Sequence, residues 1–189
     1  MRGKGVEVEM RILRKFITEG SELEGKKIYK RIAARGIILD GEDILLMYTK
    51  RYDDYSFPGG GVDKDEDLVE GVIREIHEET GATNIKILSE YGIYDETKPT
   101  NKRVGTHPNA LQYDYINMIS HFYICSIDKE LGVAKLEDYE INNGMDARWV
   151  NIHEAIAHNK EIIKNQPETI GLYIDRELYM LELVAKELI

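Results

Sequence analysis

The chain reads Gly60-Gly61-Val62-Asp63-Lys64-Asp65-Glu66 and, after seven more residues, Arg74-Glu75-Ile76-His77-Glu78-Glu79-Thr80-Gly81-Ala82. Apolar residues recur at helical period between these two runs and predict a helix over residues 66–80. Gly81 is typical of the position that ends a helix. Glu75, Glu78 and Glu79 then lie on neighbouring positions of one helix face, where like charges repel unless a cation lies between them.

The spacing G-x5-E-x7-R-E-(aliphatic)-x-E-E-x-G-(aliphatic) resembles the signature of the Nudix hydrolases, and every fixed position is filled. The resemblance implies an α/β fold, an α/β/α sandwich with a mixed β-sheet. It also implies an enzyme that uses Mg²⁺ or Mn²⁺ to hydrolyse a nucleoside diphosphate linked to another group. In such a Nudix pyrophosphohydrolase, Glu75, Glu78 and Glu79 would be metal ligands, while Arg74 and Glu66 would belong to an internal salt-bridge network.

The composition is that of a soluble globular protein, since 42% of the 189 residues are hydrophobic and 32% are charged. No apolar stretch approaches the roughly 20 residues needed to cross a bilayer, and no apolar region of a signal peptide follows the basic N-terminus. The single cysteine excludes an internal disulfide, so we expect a cytoplasmic protein. The net charge of −10 opposes binding to nucleic acid or to an anionic membrane.

The order of apolar segments predicts one domain over residues 1–189, with residues 1–25 as an N-terminal extension. The extension carries an alternating pattern that would suit an edge strand, formed by Val6, Val8, Met10 and Ile12. A hairpin is predicted around Asp40-Gly41, because Asp-Gly supplies the positive φ that tight turns require. A long loop is predicted from Asp95 to Tyr113 and is a functional candidate on account of its length.

Two helices are predicted after the strands, over residues 152–163 and over residues 168–188. The second, a C-terminal helix, carries an apolar stripe of Ile174, Leu178, Leu181, Ala185 and Leu188. Such a stripe packs against the core of its own chain or forms the seam of a homodimer, and the sequence leaves both open.

Hard divalent cations take oxygen ligands and leave coordination positions to water and to substrate phosphate. Carboxylates on adjacent helical turns can hold such ions, which would neutralise the charge of the substrate and lower the pKa of a bound water. By resemblance to the family, one further acidic residue is expected outside residues 60–82, as a metal ligand or general base. We choose Glu140 for this role, and the alternatives nearby are Glu137, Asp138 and Asp146. His107 and His121 are alternative bases.

Residues before the glycine turn are candidates for substrate binding. Lys50 and Arg51 could reach a phosphate, and Tyr55 offers a ring on which a nucleobase could stack. Gly59 and Gly60 would bring the backbone close to the metal. We therefore expect a small nucleotide-type molecule as the partner of this chain.

The identity of the substrate is left open among several nucleotide derivatives. Pro99 lies near the place where family members that act on ADP-ribose are expected to have a proline, which favours ADP-ribose-like compounds and nucleotide sugars. Two alternatives keep the same fold: a catalytically inactive nucleotide-binding or regulatory module, and an isopentenyl diphosphate isomerase-type enzyme with a site cysteine. Cys125 is available for the isomerase, but its apolar neighbours favour a buried position.

Overall fold

The computed structural model describes residues 10–100 and 112–189, and a mixed β-sheet runs through them. Its strands are β1 (Ile12–Ile17), β2 (Ile28–Asp40), β3 (Asp43–Thr49), β4 (Asp54–Ser56), β5 (Gly59–Gly61), β6 (Lys86–Pro99), β7 (Tyr115–Ser126) and β8 (Met145–Asn151). The strand order is β1-β6-β7-β2-β3-β4, with β5 paired to β2 and β8 paired to β3. The pairs β1–β6 and β2–β7 are parallel, and the other pairs are antiparallel.

Helices cover both faces of this sheet. They are α1 (Leu68–Thr80), α2 (Asp138–Asn143), α3 (Ile152–Asn165) and α4 (Ile174–Leu188). On one face, Val72 and Ile76 of α1 pack with Ala34, Ile38 and Leu45 of the sheet. On the other face, α3 and α4 bury an apolar cluster that contains Ile37, Ile44, Leu46, Phe57, Phe122, Ile152, Ala155, Met180, Leu181 and Val184. The predicted α/β/α sandwich with a mixed sheet is therefore confirmed.

The predicted hairpin and the motif helix are both present. β2 and β3 form the hairpin expected around Asp40-Gly41. α1 begins two residues later than predicted, because the Asp67 carboxylate caps it and accepts hydrogen bonds from the backbone nitrogens of Val69 (2.8 Å) and Glu70 (3.4 Å). The helix ends as predicted at Gly81, whose φ of 68° lies in the left-handed region.

β6 extends into the segment that the sequence predicts as a long loop. Residues 95–99 pair with β7, so the prediction of a loop that begins at Asp95 is wrong for these residues. The polar character of the segment misleads because Glu96 is buried and forms a salt bridge with Arg176 of α4 at 2.8 Å. The rest of the predicted loop includes residues 101–111, which lie outside the described residues, as does His107.

The described part of the N-terminal extension contains an edge strand. β1 runs parallel to β6 and starts at Ile12, opposite Ile93. An edge strand is thus present, but it shares only Ile12 with the predicted one, and Met10 lies before it. Residues 1–9 lie outside the described residues.

α4 begins six residues later than the helix predicted over residues 168–188, and its buried face differs from the predicted stripe. The buried residues are Ile174, Arg176, Glu177, Met180, Leu181 and Val184. Leu181 is fully buried against the protein's own sheet, whereas Leu188 is 37% exposed. A homodimer through this helix stays a prediction. Among the described residues, no helix is long and apolar enough to cross a bilayer.

Leu181→Ala should lower the free energy of unfolding by about 2–5 kcal/mol, because it leaves a cavity between α4 and the sheet. Leu188→Ala is the matched control and should change that free energy by about 0.5 kcal/mol or less. Urea denaturation measures both values. A large loss for Leu188→Ala, together with a lower mass in sedimentation, would instead place Leu188 in a dimer seam.

Candidate active site

The turn at residues 57–59 enters the site between two carboxylates that come from opposite layers of the fold. The Phe57 N–H donates to the carboxylate of Glu177 on α4 at 3.0 Å. The Gly59 N–H donates to the carboxylate of Glu79 on α1 at 2.6 Å. Both carboxylates are buried, so these charge-assisted bonds fix the path of the backbone.

The carbonyl groups of the same turn are bound as well. Arg35 on β2 donates from Nη1 to the carbonyl oxygens of Phe57 and Gly59, each at 3.1 Å. The Gly36 N–H donates to the carbonyl oxygen of Pro58 at 2.9 Å. Each backbone polar group of the turn therefore has a partner, as buried backbone requires.

Two glycines make room at the turn. Gly59 has a φ of 130°, and a Cβ at this position would lie 2.2 Å from the carbonyl oxygen of Ala34. At Gly60 a Cβ would lie 2.5 Å from the Glu75 carboxylate. Side chains at these positions would displace backbone or the carboxylate, so glycine is required by close packing.

Arg74 lies at the centre of the carboxylate cluster. Its Nε and Nη2 donate to the two oxygens of Glu66 at 2.7 and 2.9 Å. Its Nη1 donates to Glu75 at 2.9 Å and to Glu78 at 3.0 Å, while Nη2 also reaches the Gly61 carbonyl oxygen at 3.2 Å. The hydrogen bonds from Arg74 lower the pKa of Glu66 to about 2. The salt-bridge network that the resemblance implies for Arg74 and Glu66 is present in the structure.

The remaining carboxylates are held at an energetic cost. Burial raises the pKa of Glu79 well above its ordinary value, against the opposing hydrogen bond from Gly59. Burial also raises the pKa of Glu75, and the guanidinium of Arg74 opposes that effect. Glu78 is more accessible, with 40% of its side chain exposed. A cation placed among these groups would relieve the unfavourable burial of negative charge.

Glu140 lies on the short helix α2, which the sequence pattern did not predict. It is 4% exposed and accepts hydrogen bonds from the backbone N–H of Glu137 at 2.7 Å and from the hydroxyl of Tyr139 at 3.0 Å. Burial raises the pKa of its carboxyl group. Glu140 lines the same cleft as Glu75, Glu78 and Glu79, so the fold brings the four predicted acidic residues together.

Two cavities meet at this cluster. The carboxylate cleft, of about 1070 Å³, holds the acidic residues, Arg74 and the alternative base His121. The second cavity, of about 600 Å³, lies under the loop that joins α3 to α4. It is called the deeper cavity because buried residues of the sheet line it, namely Ala33, Ile116 and Met118. Both are lined by Arg31, Gly60, Gly61, Glu79 and Tyr139. A molecule that occupied both cavities would cross this junction.

The predicted substrate-binding residues divide into two groups. Arg51, Gly59 and Gly60 line the deeper cavity. Lys50 and Tyr55 line neither cavity. Side chains alternate along a strand, so Tyr55 points away from the face of β4 that its two neighbours present to the cavity.

Sequence reasoning missed several residues that line the deeper cavity. Arg31, Ala33 and Arg35 lie at alternate positions of β2 and face it, and Tyr173 reaches it from the loop before α4. The alternation along β2 is a signal that could have placed the two arginines on one face. No local pattern points to Tyr173, because it reaches the cavity through tertiary packing.

The side chains of the carboxylate cleft have the chemistry to bind a divalent metal ion, because they offer carboxylate oxygens. Their combined negative charge exceeds the one positive charge of Arg74. In the arrangement described, no three His, Cys, Asp or Glu side chains of residues 10–100 and 112–189 already have the geometry to hold an ion. Glu75 and Glu78 are bonded to Arg74 instead. Arg74 binds one oxygen of each of these carboxylates, so the second oxygen of each is left for a metal ion.

Glutamates that converge on one cleft are the groups that a metal-assisted hydrolase needs. The chain belongs to the Nudix family, because the family model described as NUDIX domain matches residues 29–170. It is accordingly a pyrophosphohydrolase.

Similar proteins agree with this assignment. The RNA pyrophosphohydrolase of Wolbachia pipientis subsp. Culex pipiens (strain wPip) is 25% identical over 157 residues, which are 76% of this chain and 91% of that protein. A NUDIX hydrolase from Nitrosomonas europaea has a TM-score of 0.52 at 17% identity, over 72% of this chain and 88% of that chain. The E. coli ORF135 protein has a TM-score of 0.51 at 15% identity, over 85% of this chain and 93% of that chain. At these identities the two structures support the fold alone.

Asp54 is an acidic residue of the deeper cavity that lies outside the carboxylate cluster. It is 7% exposed, and its carboxylate lies against Gly171. Burial, reinforced by the negative charge of Glu177, raises the pKa of Asp54 to about 7. The folded protein therefore holds a proton on Asp54 that the unfolded chain releases at lower pH.

Asp54→Asn should remove a pH dependence of stability. Because the folded-state pKa is raised, wild-type stability should fall relative to the variant as pH rises from about 4 to about 7, by a few kcal/mol at most. Urea denaturation at several pH values measures the difference. Asp65→Asn, at an exposed position, is the control and should follow the wild type. Parallel pH curves for Asp54→Asn and wild type would contradict the prediction.

Proposed function

We propose that this enzyme uses Mg²⁺ or Mn²⁺ to hydrolyse the pyrophosphate linkage of a nucleoside diphosphate derivative, with ADP-ribose-like compounds and nucleotide sugars as the favoured substrates. The observation that carries the proposal is the junction of the two cavities at Gly60, Gly61 and Glu79. A diphosphate that lay at this junction would have its nucleoside in the deeper cavity and one phosphate among the carboxylates.

The lining of the deeper cavity supports a nucleotide-type ligand. Arg35 and Arg51 lie on its wall together with the rings of Tyr52 and Tyr173. Guanidinium groups bind phosphate oxygens, and aromatic rings stack on nucleobases. Its volume of about 600 Å³ lies in the range typical of small-molecule sites.

The positions of the acidic residues support a role for each of them. Glu75, Glu78 and Glu79 would hold the metal, which would polarise the scissile linkage and lower the pKa of a bound water. Glu140 would take the proton of the attacking water on a carboxylate oxygen, because Glu137 N–H and Tyr139 hydroxyl fix its orientation. Arg74 would hold Glu75 and Glu78 in the cleft.

The two alternatives of the same fold are less well supported. An inactive module would be expected to lack some of the acidic residues, and here Glu75, Glu78, Glu79 and Glu140 all line one cleft. An isomerase would need a reactive cysteine, but Cys125 is 3% exposed, lines neither cavity and has a pKa raised to about 12 by burial.

A substrate panel tests the proposal. ADP-ribose, nucleotide sugars, dinucleoside polyphosphates, nucleoside triphosphates and a 5′-triphosphorylated RNA would each be incubated with Mg²⁺ or Mn²⁺, with products identified chromatographically. The RNA is included because of the name of the Wolbachia relative, although the net charge of −10 opposes it. Metal-dependent cleavage of a nucleoside diphosphate derivative is expected, and cleavage of the RNA alone would overturn the substrate class.

Glu78→Gln should lower kcat by roughly a hundredfold or more with little change in folding, because Glu78 is partly exposed and would act through the metal. Glu70→Gln is the matched control, since Glu70 is exposed on the same helix and lines neither cavity. Steady-state kinetics on the best panel substrate and thermal unfolding give both readouts. An undiminished kcat in Glu78→Gln would contradict the metal assignment.

A further inference from the structure

Arg31 occupies the junction between the two cavities. Among the described residues, it is the one arginine or lysine that lines both the carboxylate cleft and the deeper cavity. Its side chain lies over Gly61, where a Cβ would come 2.7 Å from the Arg31 Nη2 atom. Gly61 thus leaves the space in which the guanidinium sits beside the backbone of β5.

The other arginines of the site already have partners. Arg74 is bonded to Glu66, Glu75 and Glu78. Arg35 donates from Nη1 to carbonyl oxygens of the turn at residues 57–59, and its buried Nε has no partner.

Two more arginines near the cavity are also engaged. Arg51 donates to the side chain of Asn143 at 3.1 Å. Arg176 is buried and paired with Glu96 and Glu177. Arg31, by contrast, forms no hydrogen bond or ion pair with another residue of the described ranges 10–100 and 112–189, so its donors are available to a ligand.

The strand geometry explains why Arg31 points to the junction. β2 pairs antiparallel to β5, with Ala33 opposite Gly61. Arg31 lies two residues before Ala33 and therefore on the same face of the strand. The small side chain of Ala33 separates Arg31 from Arg35 on this face, and all three residues line the deeper cavity.

We propose that Arg31 binds the diphosphate of the substrate at the junction and is a specificity residue for negative charge. The inference rests on the proposed function, because a diphosphate with its nucleoside in the deeper cavity and its reacting phosphate in the cleft has to pass this guanidinium. A guanidinium can bind two phosphate oxygens through its parallel N–H groups. It offsets the repulsion that the acidic cleft exerts on an anion.

Ligand binding tests the assignment without requiring turnover. Calorimetry would compare ADP with adenosine, in EDTA and in excess Mg²⁺, for wild type, Arg31→Met, Arg31→Lys and Arg148→Met. Wild type should bind ADP more tightly than adenosine. Arg31→Met should weaken ADP binding roughly 10- to 100-fold and leave adenosine unchanged. Arg31→Lys should recover part of the loss, because it keeps the charge without the planar fork.

Arg148→Met is the matched control, since Arg148 is bonded to Asp146 and lines neither cavity. It should bind ADP like the wild type. All variants should keep the wild-type thermal unfolding curve. Equal ADP affinity in Arg31→Met and wild type would overturn the assignment, and so would a wild type that binds ADP no better than adenosine.

Kinetics separate this inference from the proposed function. On a substrate that the wild type cleaves, Arg31→Met should raise KM by a similar 10- to 100-fold factor, roughly as estimated for ADP binding. If the wild type cleaves the substrate and Arg31→Met has the same kcat and KM, the proposed function is supported and the role of Arg31 is contradicted. If ADP binding depends on Arg31 but the protein cleaves no member of the panel, the role of Arg31 stands and the proposed function is overturned.

Discussion

The rest of the site depends on how the turn at residues 57–59 is held. Its polar groups are bound by three charged side chains: Arg35 from the sheet, Glu79 from α1 and Glu177 from α4. Each of these charges would be costly to bury alone. The turn offsets part of that cost, and Arg176 also pairs with Glu177. The two helical layers are therefore coupled through one short piece of backbone, which carries Gly60 to the edge of the carboxylate cleft.

The same site carries a conflict between stability and function. Burial raises the pKa of Glu75, Glu79 and Glu140, which means that their charged forms are poorly solvated. Water that has been excluded from these groups no longer screens them, so the attraction to a bound cation grows. The burial that weakens the fold would thus strengthen binding of the proposed metal ion.

Local signals predicted the parts of the fold that local chemistry determines. The helix that ends at Gly81, the hairpin and the Arg74 network depend on residues close in sequence. Glu96 was assigned to a loop because its partner Arg176 lies 80 residues away. Arg31 was overlooked for a related reason: a strand residue acquires its neighbours only when β5 pairs with β2. The acidic half of the site and Arg51 were therefore predicted, whereas Arg31, Arg35 and Tyr173 were missed because strand pairing and tertiary packing bring them to the deeper cavity.

The bond between Phe57 and Glu177 joins residues 120 positions apart, and Glu177 lies beyond the region that the family model matches, residues 29–170. A ribosome makes the chain from its N-terminus, so the turn and α1 emerge well before Glu177, which binds the turn. A nascent chain that had been made only as far as residue 170 would carry the whole family signature but would lack one of the two carboxylates that hold the turn. The bond that Glu177 makes to the turn can therefore form only after that part of α4 has been synthesised.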